Sequence, residues 1–234
     1  MHLVIFDIDG TLTQTNHVDT CCYIQAVKDV LGLDEVETDW TSYRHATDAG
    51  IAAELVDRAN CGAPADALLA QLHDRFITLI TAALNRDASL CQQTPGAMAM
   101  LERLIARDDV VAALATGGWR ASAELKLRRS GLDVFDLPLA TSDDDVSREA
   151  IMRIARERAA ARHQDDSFDV QIYVGDGVWD ARSARALGLG FIGVAEGEQA
   201  HRLLAEGARA VVKDYTDLEG FLRTVQSAGR HPTN

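Results

Sequence analysis

Three apolar runs in this sequence stop on polar residues of a kind that does chemistry. "LVIFDIDGTLT" (3–13) carries Asp7 and Asp9, one residue apart, ahead of a break at Gly10-Thr11. "VVAALATGG" (110–118) ends in Thr116-Gly117-Gly118, and "VQIYVGDGVWD" (170–180) ends in Gly175-Asp176-Gly177 followed by Asp180. If these runs are strands of one parallel sheet, their carboxyl ends meet at the edge where open α/β sheets bind ligands. Asp7, Asp9, Asp176 and Asp180 gathered there would repel one another. A hard divalent cation such as Mg2+ resolves the repulsion, because it takes a few carboxylate and carbonyl oxygens and keeps several waters. It would also let an anionic substrate approach. Thr116 and the N–H groups of Gly117 and Gly118 open a helix, which suits them to phosphate oxygens. Carboxylate nucleophile, metal and phosphate cradle together point to phosphoryl transfer.

The rest of the chain has to put those ends in one place. Apolar runs near 3–6, 110–116, 137–141, 170–174, 190–194 and 209–213 alternate, after Pro95-Gly96, with helical patterns near 95–107, 119–130, 147–162, 178–187, 198–206 and 216–226. That alternation predicts βα units in an α/β fold. Strands that are apolar on both faces belong to a doubly wound parallel sheet, here Rossmann-like. Between the first strand and this series, residues from about 17 to 88 carry no convincing strand. The clearest helix there is "PADALLAQLHDRFITLITAAL", with Leu68, Leu72, Phe76, Leu79 and Ala83 at helical spacing. The economical division is a core of 1–14 and 92–234 with an all-helical cap, 15–91, inserted after the first strand. The tail from Ser227 is expected to fray.

Composition narrows the function classes. At 234 residues and 47% hydrophobic, the chain can bury a proper core. No run of about 18 apolar residues predicts a membrane span. The strand begins at once, without the pattern of a signal peptide, so a cytoplasmic location is expected. A net charge of −13 argues against a nucleic-acid partner bound on a broad basic face. The inserted segment is itself acidic, with 12 acidic and 5 basic residues over 15–91. Cys21, Cys22, Cys61 and Cys91 show no metal-ligand spacing and read as small core-filling thiols in a reducing compartment. Oligomeric state is not legible.

"DIDGTLT", "ALATGG" and "VGDGVWD" resemble motifs one, two and four of the haloacid dehalogenase superfamily, in that family's order and at the predicted strand ends. The position of the cap resembles phosphoglycolate phosphatase-like members. The resemblance implies that Asp7 is the nucleophile forming an aspartyl-phosphate and that Asp9 is the general acid and then the base that activates water. It implies that Thr116 binds the transferring phosphoryl group, that Asp176 is a metal ligand and that Asp180 holds the metal site or its waters. The backbone carbonyl of Asp9 would complete the protein's share of the metal shell. Motif three departs from the family pattern, which usually has a lysine there. "SDDDVSREAIMRIA" offers Arg148 at a helix start behind the plausible N-cap Ser147, hence at the correct sheet edge. Arginine can balance charge there and grip phosphate in a planar fork. The alternative, Lys126, sits seven residues into its helix, roughly 10 Å from the edge at about 1.5 Å per residue. Arg148 is therefore the expected cation.

An aspartate at position 9 also selects among relatives. The family's dehalogenases lack it and its phosphonate-cleaving members carry a small residue there, so the resemblance implies phosphomonoesters, whose alkoxide leaving group needs a proton. A Mg2+-dependent phosphatase acting on a small phosphorylated metabolite is the leading expectation. A phosphomutase on a sugar phosphate, β-phosphoglucomutase-like, is the alternative, and a binding protein that kept the fold without turnover is a third reading. Specificity would fall to the cap, which can close over a small substrate. In "SYRHATDAG" (42–50), Arg44, His45, Thr47 and Asp48 have hydrogen-bonding reach. Trp119 and Arg120, just after the phosphate loop, could line the pocket, although Trp119 suits core packing equally.

Overall fold

The computed structural model describes residues 1–59, 62–164 and 167–228. Cys61 and the tail from 229 onward lie outside the described residues. Among the described residues, six strands form one parallel sheet: β1 (His2–Phe6), β2 (Val110–Ala115), β3 (Leu139–Ala140), β4 (Val170–Gly175), β5 (Gly190–Val194) and β6 (Ala210–Val212). Their order across the sheet is β3-β2-β1-β4-β5-β6. β1 is central and pairs in parallel with both β2 and β4, His2 standing opposite Val110 on one side and Val170 on the other. The chain thus winds outward in both directions from β1, and the order reverses between β1 and β4. A crevice opens at the carboxyl ends of such a pair.

Period-two alternation distributes the core. Val4 and Phe6 face one layer with Leu114, Ile172 and Val174, covered by α4 (Ala97–Ile105), α5 (Arg120–Arg129) and α9 (Leu218–Ala228). Leu3 and Ile5 face the opposite layer with Val111, Ala113 and Tyr173. There α6 (Arg148–His163), α7 (Val178–Ala186) and α8 (Gly197–Ala205) lie over them. Both faces are covered, as the continuous apolar strands require.

Between β1 and α4 the described chain is helical: α1 (Asn16–Leu31), α2 (Asp48–Ala59), α3 (Ala65–Arg86) and short 3-10 turns at Trp40–Ser42 and Ala88–Leu90. These helices share a separate apolar cluster that includes Val27, Leu55, Leu72, Phe76 and Ile80. On α3 the buried stripe runs Leu68, Leu72, Phe76, Ile80, Ala83 and Leu84. Leu79, expected in that stripe, is only partly buried, because the 3.6-residue period brings Ile80 fully inward instead. By length and composition α3 could cross a membrane, but that buried stripe packs against α1 and α2. Cys21 is exposed, and Cys22 and Cys91 are buried free thiols.

Candidate active site

The loop after β1 shows why two aspartates end an apolar strand. Ile8 is fully buried in the core layer, so Asp7 and Asp9, on either side of it in sequence, project together toward the crevice. The chain then curls back on itself: Gly10 N–H donates to the Thr13 carbonyl at 2.7 Å, and the Leu12 and Thr13 N–H groups donate to the Ile8 carbonyl at 2.9 Å each. Gly10 has φ +73°, and a Cβ there would come within 2.0 Å of Asp176 Oδ2. Only glycine permits that conformation and that approach of the first loop to the fourth.

Asp7, Asp9, Thr116, Gly117, Gly118, Arg148 and Asp176 line one cavity of about 170 Å³ at the carboxyl edge. The helical segment closes it with Asp19, Tyr23, Trp40, Thr47 and Asp48, among others. Burial, and after it the charge of Asp180, raises the Asp7 carboxyl well above the usual carboxylate range. Burial and the same neighbour push Asp176 up to about 7, against a hydrogen bond of 2.7 Å from Asn16 Nδ2 that favours its ionised form. Oxygens of Asp7, Asp176 and Asp180 all lie within 4.8 Å of one another. Three hard oxygen donors that resist sharing negative charge fit a small divalent cation such as Mg2+.

Asp180 sits beneath this group rather than in the cavity wall. It is fully buried in the first turn of α7, where Oδ2 accepts from Gly177 N–H at 3.0 Å and Oδ1 accepts from Arg148 Nη1 at 2.8 Å. Arg148 opens α6 behind Ser147, whose hydroxyl accepts from Ala150 N–H. Its Nη2 donates to the Ala46 carbonyl at 2.8 Å, its Nη1 lies 3.6 Å from Asp7, and its buried Nε has no partner. Burial opposes the guanidinium charge, but Asp180, Tyr173 and Asp7 outweigh it. A Cβ on Gly117 would collide with Arg148 Nη2, so the bare backbone of the Thr116-Gly117-Gly118 turn is what admits the arginine.

Lys126 reaches the same carboxylates from the other side. Its Nζ donates to both Asp9 oxygens at 2.7 Å and to Asp19 Oδ1 at 2.5 Å, and the residue is fully buried. The distance argument against it, taken from its Cα along α5, fails for a physical reason. Helical side chains slant toward the N-terminus, and a four-carbon stem recovers most of the rise. Burial works against the ammonium, but Asp19, Asp9 and Asp48 hold it above its ordinary range. Burial pushes Asp19 up to about 6 despite Lys126 beside it.

The segment 42–50 divides. Thr47 and Asp48 belong to the cavity. The Thr47 hydroxyl donates to the Val146 carbonyl at 2.7 Å and accepts from Gly50 N–H at 3.1 Å, capping α2. Asp48 N–H donates to the Gly117 carbonyl, and Asp48 Oδ2 accepts from Trp119 N–H at 2.9 Å, so the start of α2 is fastened to the turn that follows β2. Arg44 and His45 line an adjoining cavity of about 220 Å³. Trp119 lies outside the site wall: it is buried against Tyr23, His73 and Phe76 in the cluster of the helical segment. Arg120 turns away to Asp144 at 3.0 Å.

Several wall residues were not singled out in the sequence. Asn16 and Asp19 occupy the first turn of α1, directly after the Asp7 loop, and that adjacency was their signal. Thr15, buried behind the wall with its hydroxyl donating to Asp9 Oδ1 at 2.5 Å, had the same signal. Trp179 lies between Asp176 and Asp180 inside the third quoted stretch. Tyr23 and Trp40 had no local signal, since only the packing of the helical segment brings them over the sheet edge.

The chain belongs to the haloacid dehalogenase-like hydrolases, whose family model matches residues 1–188. Among solved structures, a hydrolase from Pseudomonas syringae is 21% identical with a TM-score of 0.73, covering 95% of this chain and 98% of that one. A protein from Haemophilus somnus described as a predicted phosphoglycolate phosphatase is 17% identical with a TM-score of 0.66, covering 95% and 98%. CbbY from Rhodobacter sphaeroides, solved in complex with phosphate, is 18% identical with a TM-score of 0.64, covering 93% and 96%. At these identities the likeness is one of fold. No curated protein sequence matches the chain.

Proposed function

We propose that this hydrolase is a Mg2+-dependent phosphatase that cleaves a small phosphomonoester through an aspartyl-phosphate on Asp7. The observation that carries the reading is the meeting of Asp7 with Asp176, Arg148 and the Thr116-Gly117-Gly118 turn in one cavity. In this reading residues 1–14 and 92–234 are the catalytic core and 15–91 the cap.

Asp7 attacks phosphorus, forming an oxygen–phosphorus bond as the bond to the ester oxygen breaks. Asp9 gives that leaving oxygen its proton. A water then attacks the aspartyl-phosphate, losing its proton to Asp9, and the bond from phosphorus to Asp7 breaks. Thr116, the loop N–H groups and Arg148 meet the charge on the phosphoryl oxygens. Asp7 and Asp176, the Asp9 carbonyl and the supporting Asp180 would hold Mg2+. When bound, the ion offsets the carboxylates' repulsion and draws charge from the phosphoryl group. Lys126 holds the Asp9 carboxylate in place.

The test is release of inorganic phosphate from a panel of phosphomonoesters with and without Mg2+, using the chain and its Asp7→Asn variant. The reading expects metal-dependent release that Asp7→Asn abolishes. Full activity in Asp7→Asn would contradict it.

A further inference from the structure

Unlike the floor of the cavity, the wall contributed by the helical segment holds no cation. Among the described residues lining the cavity, the one cationic side chain is Arg148, and it is committed to Asp180, Ala46 and the edge of Asp7. Lys126 lies behind the wall with its ammonium engaged by Asp9 and Asp19. The helical segment contributes the carboxyl groups of Asp19 and Asp48 with Tyr23 and Trp40 to the lining, and α7 contributes Trp179. Arg44, His45 and Arg182 line the adjoining cavity, which shares Trp40, Trp179 and Arg148 as common walls.

We infer that the leaving group of the substrate is uncharged or cationic, an alcohol or amino alcohol that carries no second phosphate or carboxylate. This rests on Asp7 being the phosphoryl acceptor and names the substrate class of that site. A second anion would find no free cation in this cavity, and the buried Asp19 and Asp48 carboxyl groups beside it already resist negative charge, so a further anion against them is disfavoured. A hydroxyl or ammonium would donate to those carboxylates, and the indole faces suit the C–H surface of a polyol or the face of an ammonium. At about 170 Å³ the cavity falls below the roughly 300–1,000 Å³ of drug-sized sites, so the whole ester is small. The same wall disfavours a phosphomutase. Where a phosphoryl group moves between two hydroxyls of one sugar by way of an already phosphorylated Asp7, which donates before it accepts, the intermediate is phosphorylated at both. That species would set a phosphate against Asp19 and Asp48.

Matched esters test the inference on the full chain with Mg2+. Glycerol 3-phosphate against 3-phosphoglycerate, and 2-hydroxyethyl phosphate against phosphoglycolate, each exchange a hydroxymethyl group for a carboxylate. Phosphoethanolamine and phosphocholine form the cationic arm, fructose 1,6-bisphosphate the dianionic one, and acetyl phosphate reports the chemistry alone. The uncharged or cationic member should win each comparison by about 100-fold in kcat/KM, and the ratio of the two winning arms tells polyol from ammonium. Thr20→Lys, which adds an ammonium to the same wall, should narrow the carboxylate penalty about tenfold; an unchanged ratio in the folded variant would overturn the charge argument. Turnover of acetyl phosphate with equal or better turnover of the carboxylate esters overturns the inference alone. No turnover of any ester or of acetyl phosphate overturns the phosphatase reading and the inference with it.

Discussion

Replacing Lys126 by methionine keeps most of the side chain's volume and removes its charge. In the wild-type chain the ammonium is fully enclosed, 2.7 Å from both Asp9 oxygens and 2.5 Å from Asp19. Asp48 adds a third carboxylate to the same group. Removing one partner of a buried, hydrogen-bonded ion pair costs about 3–5 kcal/mol. For a chain of this length each kcal/mol moves the melting temperature by about 2–4 °C, so Tm should fall by about 6–20 °C at pH 7.5. Thermal unfolding followed by circular dichroism reads the shift. Its pH dependence carries a sign. Asp19 titrates near 6 in the folded chain against an ordinary 3.8. Between those values the native state holds a proton that the unfolded chain has released, so this group makes stability rise as pH falls through about 6. Loss of Lys126 pushes Asp19 further up, and the deficit of the variant should therefore shrink on acidification from pH 7.5 to 5.5. A loss below about 1 kcal/mol, or a deficit that grows on acidification, would refute the idea that this ammonium compensates the buried carboxylates.

Further expectations concern the other side of the site. Arg148→Ala should cut kcat/KM by about 100- to 1,000-fold, as loss of one preorganised donor to developing charge does. Arg148→Lys should recover only part of it, because an ammonium cannot reach Asp180 and the Ala46 carbonyl as the guanidinium does; steady-state kinetics on both variants would check this. Gly10→Ala should weaken Mg2+ binding, seen by titration calorimetry, since its Cβ would strike Asp176 Oδ2; unchanged affinity would contradict the close approach of the two loops. With Asp176 near 7 and Asp7 well above the usual range, protons compete with the metal. The stabilisation that Mg2+ confers in thermal shift should accordingly be larger at pH 8 than at pH 6, and the reverse order would count against these carboxylates as its ligands.

Much of the fold was legible because its strands are short, apolar and punctuated. Val110–Ala115 and Gly190–Val194 are buried throughout, and their neighbours in sequence switch at once to helical spacing. The floor of the site was legible for the same reason: a strand end is a fixed place in a parallel sheet, so Asp7, Thr116 and Asp176 had to converge. The wall was another matter. Whether Arg44 or Asp48 faces the site depends on how α2 is fastened, and the bond from Asp48 N–H to the Gly117 carbonyl is a tertiary contact that no local pattern encodes. Trp119 follows a polar loop, yet Tyr23 and Phe76, distant in sequence, draw it into an apolar cluster. Lys126 shows the remaining limit. Its Cα is far from the edge, and only the direction and length of its side chain bring its charge to Asp9.

The most direct measurement of the central claim is the site of covalent phosphate. Asp9→Asn removes the group proposed to activate water, while acetyl phosphate needs no proton for its leaving group. With Mg2+ present, that variant should take up a phosphoryl group and release it slowly. Peptide mapping of the acid-quenched protein by mass spectrometry should then find the group on Asp7, and the Asp7→Asn chain should take up none. A phosphoryl group on another residue, or phosphate release by Asp7→Asn at the wild-type rate, would contradict the account.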